Sequence, residues 1–330
     1  MNKILKFLAI ILVFLVITST IVTAILYNKT GFLNQENIDD RDAEYWDYDE
    51  NGVIKGAEAF ELNGNKNTCW ILVHGYASSP NEMRELGNKI NNELGDYVYA
   101  IRLKGHAELP SHLLNYSAED WYEQVEEKYN ELNRECKNIN AVGSSMGGAV
   151  VMKLAEEKDI KNLYLTNPFL YTPNKWYYFF SVQTWANLIG DSLGFSKKST
   201  LGGINDPKGL TNHIAYWNTP ILPVKNSFDF VENVNENLDE ITATTLIFHS
   251  PFDKTADIHG SFDIIEKISS VSKKIMIFDS GNHILLMDYN RAEIIKNIYT
   301  MPSFTALGEP VYPNPNEALE GIITFERENR

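Results

Sequence analysis

Short apolar runs alternate with amphipathic stretches along most of the chain, and this alternation predicts strands and helices in turn. "TCWILVHG" is an apolar run ending at Gly75, and "YVYAIRL" is a second predicted strand. Between them, "PNEMRELGNKINNEL" is an amphipathic helix opened by Pro80. Strands with apolar residues at consecutive positions are typical of sheets covered on both faces. The pattern therefore predicts an α/β fold with a mostly parallel sheet and helices on either side.

The alternation of predicted strands and helices continues along the chain, with one interruption. Ser117 and Asp120 resemble a capping box that opens a further helix. After the interruption, "TTLIFHS" (244–250) and "KIMIFDS" are again predicted strands. Between the two halves, residues 169–240 hold "WYYFFSVQTW" among turn-forming residues and lack strand alternation. We therefore expect two core halves at 56–168 and 241–304, an inserted aromatic-rich cap at 169–240 and an irregular tail at 305–330.

The N-terminus is the clearest break in composition. Phe7 to Tyr27 form a stretch of 21 uncharged residues, long enough to cross a hydrocarbon core of about 30 Å as a helix. This predicts a membrane anchor over residues 1–28. A cleaved signal peptide is the alternative, because Val22 and Ala24 are small residues that a signal peptidase could recognise.

Charge restricts the partners and the orientation of the chain. There are 29 Lys and Arg against 44 Asp and Glu, a net charge of −15, which disfavours nucleic acid and anionic membrane surfaces as partners. Lys3 and Lys6 precede the apolar stretch, and the polar, acidic residues 29–55 follow it as a predicted linker. By the positive-inside tendency, the main domain is expected outside the cytoplasm, either anchored or secreted.

One short motif carries the strongest chemical signal. In "NINAVGSSMGGAV", Gly143, Ser145 and Gly147 satisfy the pattern G-x-S-x-G between a predicted strand and a helix beginning near Met146. The pattern is typical of a nucleophile held on a tight strand-to-helix turn, where side chains at the glycine positions would collide with crossing backbone. A serine used only for packing in a glycine-rich turn is the alternative.

A serine nucleophile needs a base and a group that orients the base. His283 follows a predicted strand and a Ser-Gly-Asn loop, and Asp253 follows the preceding strand, which gives the chain order Ser145, Asp253, His283. Asp257 and Asp288 are weaker candidates for the acid. Asp257 suits the first turn of a helix, and Asp288 follows the histidine too closely to face its ring.

Acyl transfer also needs donors for an oxyanion. The backbone N–H of Met146, at the start of the predicted helix, is one candidate, and the N–H of Tyr76 after the first apolar strand is the other. Gly75 permits the backbone twist that this loop requires. His74 is expected to order the same loop rather than to act as a base.

Together these segments resemble a family. "WILVHGYASSPNEMRELG", "YAIRLKGHAELPSHLL", "GSSMGG", "SPFDKTAD" and "DSGNHILLMD" are similar to the bacterial carboxylesterase and monoacylglycerol-lipase branch of the α/β-hydrolase superfamily. The resemblance implies an eight-stranded core, serine esterase chemistry and a cap over the site, and it supports the same triad and oxyanion amides. Ala107 departs from the pattern, since the family usually has a glycine there, and the cap is longer and more aromatic.

In such a sheet, the strands ending at His74 and Gly143 are neighbours. Cys69 and Cys136 then both lie near the opposite edge, at a spacing that fits a bridge. We expect a disulfide, with two separately buried thiols as the alternative.

The expected function is therefore hydrolysis of carboxylic esters with an apolar acyl or alcohol part, of the carboxylesterase, monoacylglycerol lipase or lysophospholipase type. A serine aminopeptidase or amidase is an alternative, in which Asp229 and Glu232 hold the substrate amine. A membrane-tethered binding module without catalysis is another. No cofactor or metal site is expected, the partner is a small ester or lipid-derived substrate, and the oligomeric state is open.

Overall fold

Among the residues that the structure describes, a seven-stranded sheet forms the centre of the fold. The computed structural model describes residues 42–173, 194–197, 203–278 and 280–300, together with residues 6–7, 11–15, 18 and 183. The strands of the sheet are β1 (Phe60–Leu62), β2 (Asn65–Val73), β3 (Asp96–Ile101), β4 (Asn138–Ser144), β5 (Asn162–Thr166), β8 (Thr244–His249) and β9 (Lys273–Ile277). Strand β1 pairs antiparallel with β3, and the other pairs are parallel, in the order β1-β3-β2-β4-β5-β8-β9. Strands β6 (Phe195–Lys197) and β7 (Asn218–Pro220) form a separate antiparallel pair.

Helices cover both faces of this sheet. They are α1 (Arg84–Leu94), α2 (Ala118–Leu132), α3 (Met146–Glu157), α4 (Pro207–Asn212), α5 (Leu222–Glu236), α6 (Ile258–Lys267) and α7 (Arg291–Thr300). Successive strand residues point to opposite faces. Trp70 packs in one apolar cluster with α1 and α7, whereas Ile71 packs in another with α2, α3 and α6. The predicted mostly parallel sheet with helices on both sides is confirmed.

The sheet has seven strands in the described residues, one fewer than the eight that the resemblance implied. Residues 42–59, which directly precede β1, do not join the sheet. Tyr48 and Ile54 form only an isolated bridge, and the carboxylate of Asp49 closes the turn between them by accepting the N–H groups of Asn51 and Val53. A turn held by its own side chain competes with strand pairing, so this segment forms no extended strand.

The linker predicted at 29–55 also needs correction, because its second part belongs to the folded body. From Asp42 onward the chain packs on the core, and the side chains of Asp42, Val53 and Ile54 are buried. The pattern of this segment is polar, but its few apolar residues pack against the main cluster. Residues 29–41 lie outside the described part of the chain.

Only part of the predicted cap at 169–240 lies among the described residues. In the predicted range, α4, α5 and the β6–β7 pair are described, whereas the aromatic run at 176–185 lies outside the described residues except for Gln183. The tail at 305–330 and most of the predicted anchor lie outside them as well. Within the described residues, no helix combines the length and apolar character that crossing a membrane requires.

Cys69 and Cys136 form a disulfide that joins β2 to the segment between α2 and β4. Cys69 is paired with Ile139 of β4, at the end of the strand far from the turn after Ser144. The bond therefore lies at the edge of the sheet opposite to the predicted active site.

Removal of this bond is expected to destabilise the fold without affecting the site. The two cysteines are separated by 67 residues, and a loop of this length corresponds to a loss of about 4 kcal/mol in the free energy of unfolding. Urea unfolding of the Cys69→Ala/Cys136→Ala variant measures this loss. Wild-type protein in dithiothreitol is the matched control, because it breaks the bond and keeps both side chains; an unchanged urea midpoint in both samples would contradict the prediction.

Candidate active site

Ser145 lies at the sharp turn between β4 and α3, in a strained backbone conformation. Its φ is 53° and its ψ is −119°, a region that residues with a side chain rarely adopt. The two flanking glycines make the turn possible. A Cβ atom at Gly143 would lie 2.4 Å from the carbonyl oxygen of Gly147, and one at Gly147 would lie 2.4 Å from the carbonyl oxygen of His74. The motif thus has the strand–turn–helix context that a nucleophile elbow requires.

The structure brings Ser145, His283 and Asp253 together in one hydrogen-bonded chain. The Ser145 Oγ lies 2.7 Å from His283 Nε2, and His283 Nδ1 lies 2.7 Å from Asp253 Oδ2. Ionised Asp253 can only accept, so Nδ1 donates to it and Nε2 is left to accept the Ser145 proton. All three side chains are buried. This arrangement can remove the hydroxyl proton as Ser145 attacks a carbonyl carbon.

The loop after β8 fixes Asp253 in its ionised form. The second carboxylate oxygen, Oδ1, accepts the backbone N–H groups of Thr255 at 2.7 Å and Ala256 at 3.1 Å. Burial alone would raise the pKa of Asp253, but the charge and hydrogen bond of His283 and the Thr255 N–H hold it below the usual value. The carboxylate is therefore charged at neutral pH and can orient the imidazole.

The two predicted oxyanion donors belong to backbone segments next to Ser145. Met146 is the first residue of α3, so its N–H has no carbonyl partner within the helix. A Cβ atom at Gly75 would lie 3.2 Å from the Ser145 Cβ, which places the Gly75–Tyr76 backbone directly beside the nucleophile. The Tyr76 N–H forms no hydrogen bond with other described residues. Two backbone donors are thus available next to Ser145, as oxyanion stabilisation requires.

Ser145 and His283 open into a cavity of about 480 Å³. The apolar residues around the cavity come from the oxyanion loop (residues 75–79), the elbow, the cap and the loop carrying His283: Tyr76, Ala77, Met146, Phe169, Val224 and Ile284. Its polar lining consists of uncharged or basic side chains: Ser78, His213, Thr219, Lys254, Thr255 and Asn282. Among the described lining residues there is no Asp or Glu, and Asp229 and Glu232 of α5 are exposed to solvent instead.

The described ranges contain no group of three or more His, Cys, Asp or Glu side chains that could hold a metal ion.

Most of the chain matches a known protein family. The family described as serine aminopeptidase, S33, matches residues 64–290, which is more than half of the chain. The chain belongs to this family. The match begins directly before β2 and ends before α7, so it includes the elbow, Asp253 and His283.

Relatives of this S33 family member are ester hydrolases by name. A thermostable monoacylglycerol lipase of Bacillus sp. (strain H-257) is 29% identical over 253 residues, covering 74% of this chain and 93% of the relative. A carboxylesterase of Bacillus subtilis (strain 168) is 23% identical over 231 residues, covering 69% and 89%. A structure of metagenome-derived lipolytic enzymes, LipS and LipT, has the same fold, with a TM-score of 0.68, 21% identity, and coverage of 76% and 98%. The expected α/β-hydrolase branch and serine ester hydrolase are confirmed.

Glu82 is a buried carboxylate that the sequence pattern did not single out in this S33 chain. It accepts the N–H of Gly75 at 2.9 Å and the hydroxyl proton of Ser78 at 2.6 Å, so it holds both ends of the oxyanion loop. Burial alone would raise the pKa of Glu82, but His213, with its Nε2 3.8 Å away, and the Ser78 hydroxyl lower it below the usual value. Glu82 lies in a stretch with the polar and apolar pattern of a surface helix, and this pattern does not predict that its carboxylate is buried.

His74 has the structural role expected of it. Its Nε2 accepts the N–H of Leu103 at 3.2 Å, and its Nδ1 lies 2.8 Å from the carbonyl oxygen of Gly75. Burial lowers the pKa of His74 to about 4, so the ring is neutral at neutral pH. It connects the oxyanion loop to the segment after β3.

Two further buried polar residues support the loops of the triad. His249 contacts the carbonyl oxygen of Ala256 through Nε2 at 3.3 Å, and burial lowers its pKa to about 4. Asp288 accepts four backbone N–H groups, and one of them, at 2.8 Å, belongs to Asn282 beside His283. The other three belong to Asn205, Asp206 and Tyr289. Asp288 thus fixes the His283 loop against the cap and does not face the imidazole.

Proposed function

We propose that the protein hydrolyses neutral carboxylic esters with an apolar acyl part, of the monoacylglycerol or simple carboxylester class, through an acyl-enzyme on Ser145. The observation that carries this proposal is the hydrogen-bonded chain from Ser145 through His283 to Asp253 at the wall of a largely apolar cavity. The complete set of triad hydrogen bonds also argues against a non-catalytic binding module.

The reaction follows from the positions of these groups. His283 Nε2 takes the proton of Ser145 as Oγ attacks the ester carbonyl, and Asp253 stabilises the imidazolium through Nδ1. The carbonyl oxygen becomes an oxyanion between the N–H groups of Tyr76 and Met146. His283 then gives its proton to the leaving alcohol. Water, activated by the same imidazole, hydrolyses the acyl-enzyme and regenerates the Ser145 hydroxyl.

The cavity favours an uncharged, partly apolar substrate. Its volume of about 480 Å³ lies within the range of small-molecule sites. Aromatic and aliphatic side chains supply much of the described lining, and its one charged side chain, Lys254, is basic. The Bacillus relatives act on esters by name, one of them on monoacylglycerols, which supports the same substrate class here.

The aminopeptidase alternative meets an electrostatic objection. Holding a substrate ammonium group requires carboxylates that face the cavity. Asp229 and Glu232, the pair suggested by the sequence, are exposed on α5, and Lys254 would repel an ammonium group. An ester substrate avoids both difficulties.

We also propose that the protein is anchored outside the cytoplasm by its N-terminal segment. The uncharged stretch from Phe7 to Tyr27, preceded by Lys3 and Lys6, supports this orientation. The disulfide between Cys69 and Cys136 fits an oxidising compartment. Protease treatment of intact cells tests the proposal: digestion of a membrane-bound domain is expected, a released domain would indicate signal cleavage, and a protected domain would contradict the orientation.

A substrate panel tests the ester proposal. With p-nitrophenyl esters of increasing acyl length, kcat/KM is expected to rise by about fourfold per methylene until the cavity is filled, because each buried methylene contributes about 0.8 kcal/mol. Monoacylglycerols are expected to follow the same trend, and an aminoacyl p-nitroanilide to be a poorer substrate. The Ser145→Ala variant measures background hydrolysis. Preference for the anilide, or no turnover of any ester, would contradict the proposal.

A further inference from the structure

A short segment of the cap, residues 213–220, runs along the oxyanion loop; we call it the brace. The hydroxyl of Tyr76 donates to the carbonyl oxygen of Pro220 at 2.6 Å, and the N–H of Tyr216 donates to the carbonyl oxygen of Ala77 at 3.1 Å. Two more contacts join Ser79 to Ile214 and Ser78 to His213. The residue whose N–H serves as oxyanion donor is thus attached to the brace through its side chain.

The N-terminal part of the folded body holds the brace from its other side. Asp42 is fully buried, and its carboxylate accepts the N–H of Trp217 at 2.7 Å and both the N–H and the side-chain NH₂ of Asn218, at 3.1 and 2.8 Å. The ring of Tyr45 also packs on Trp217, with 5.0 Å between centroids. A buried carboxylate with three N–H donors is a strong and directional contact, so Asp42 fixes the backbone of the brace.

The oxyanion loop needs such external support. Ala77, directly after Tyr76, has a φ of 56°, a left-handed conformation that a residue with a Cβ atom rarely adopts. Strain of this kind persists only where the surroundings hold the backbone in place. An oxyanion donor must also be fixed close to its productive position before the reaction begins.

We propose that Asp42 is a positioning residue for ester hydrolysis. By holding Trp217 and Asn218, it fixes the Pro220 carbonyl that binds the Tyr76 hydroxyl, and so keeps the Tyr76 N–H where the oxyanion forms. The inference rests on the proposed hydrolysis at Ser145. It gives residues 42–55 a part in the reaction, although none of them lines the cavity.

A double-mutant cycle tests this connection in the full chain. Asp42→Ala and Tyr76→Phe each interrupt it at one end, and Tyr76→Phe keeps the backbone N–H. Each variant is expected to lower kcat for p-nitrophenyl butanoate by about tenfold with little change in KM, because the donor is displaced but not removed. The affinity for phenylboronic acid, which forms a tetrahedral adduct on the serine, is expected to weaken in parallel. The double variant is expected to be no worse than either single variant.

Asp49→Ala is the matched control, because Asp49 also lies within residues 42–55 and its carboxylate accepts hydrogen bonds from Asn51 and Val53 of the same segment. Its kcat is expected to equal that of the wild type. Unchanged kcat in Tyr76→Phe, additive losses in the double variant, or an equal loss in Asp49→Ala would overturn the proposal. If Asp42→Ala does not fold, Asp42→Asn takes its place with the same two readouts, because asparagine has one acceptor oxygen for the three N–H groups that the carboxylate accepts. Absence of turnover in the wild type would instead refute the hydrolase function itself.

Discussion

Replacement of Ser145 by alanine is expected to lower kcat for ester hydrolysis by about a millionfold, the loss typical of removing a triad nucleophile. The Ser145 Oγ is the hydroxyl that lies 2.7 Å from His283 Nε2, at the cavity wall. The strained elbow brings it next to both oxyanion donors. Turnover of p-nitrophenyl butanoate measures the loss. Intact-protein mass spectrometry after fluorophosphonate treatment should show one adduct on the wild type and none on Ser145→Ala.

The neighbouring serine is the matched control. Ser144 is the last residue of β4 and is buried, and its hydroxyl has no hydrogen-bond partner among the described residues. It does not line the cavity. Ser144→Ala is therefore expected to fold, to react with the fluorophosphonate and to turn over ester at close to the wild-type rate. If Ser144→Ala were the inactive variant, the placement of the elbow would be wrong.

The elbow could be predicted because its information is local. Gly143 and Gly147 stand two positions before and after Ser145, and the contacts that exclude a Cβ atom at either glycine come from the elbow itself or the neighbouring strand end. The order Ser145, Asp253, His283 was also readable, since each residue follows a strand with a clear apolar pattern. The loops that follow parallel strands lie at the same edge of the sheet, so residues in these loops come close together whatever the rest of the fold.

Residues whose roles depend on distant segments could not be predicted in this way. Glu82 and Asp42 are charged residues in polar stretches, and sequence patterns place such residues on the surface. Their burial depends on His213 and on Trp217 with Asn218, all from the cap, far along the chain. The eighth strand that the resemblance implied is absent from the described residues for a different, local reason, because the turn closed by Asp49 takes the place of strand pairing.

Ala107 is an instructive departure from the family pattern. The resemblance pointed to a position where glycine is usual, and Ala107 has a φ of 57°, in the left-handed region that glycine adopts without strain. Its carbonyl oxygen accepts the N–H of Ile54 at 2.7 Å, which helps to hold the chain in this conformation. The sequence could identify the unusual residue, and only the backbone geometry gives the reason for the family preference.

Replacement of Asp253 by asparagine is expected to lower kcat by about ten-thousandfold while the protein stays folded. The asparagine oxygen can still accept the N–H groups of Thr255 and Ala256, so the loop keeps its conformation. The asparagine NH₂ group would instead donate to His283 Nδ1, so the imidazole proton would move to Nε2. A protonated Nε2 can no longer accept the proton of Ser145. The charge that stabilises the imidazolium is lost as well. Single-turnover kinetics with p-nitrophenyl butanoate measure the acylation step directly.

Asp257→Asn is the control that separates this effect from a general change of charge near the site. Asp257 caps α6 by accepting the N–H of His259, and asparagine is an equally good cap, so wild-type stability and kcat are expected. An equal loss of kcat in both variants would show that charge in this region matters irrespective of contact with the imidazole. A loss confined to Asp253→Asn would assign the orienting role to the carboxylate 2.7 Å from His283 Nδ1, and wild-type activity in that variant would exclude it.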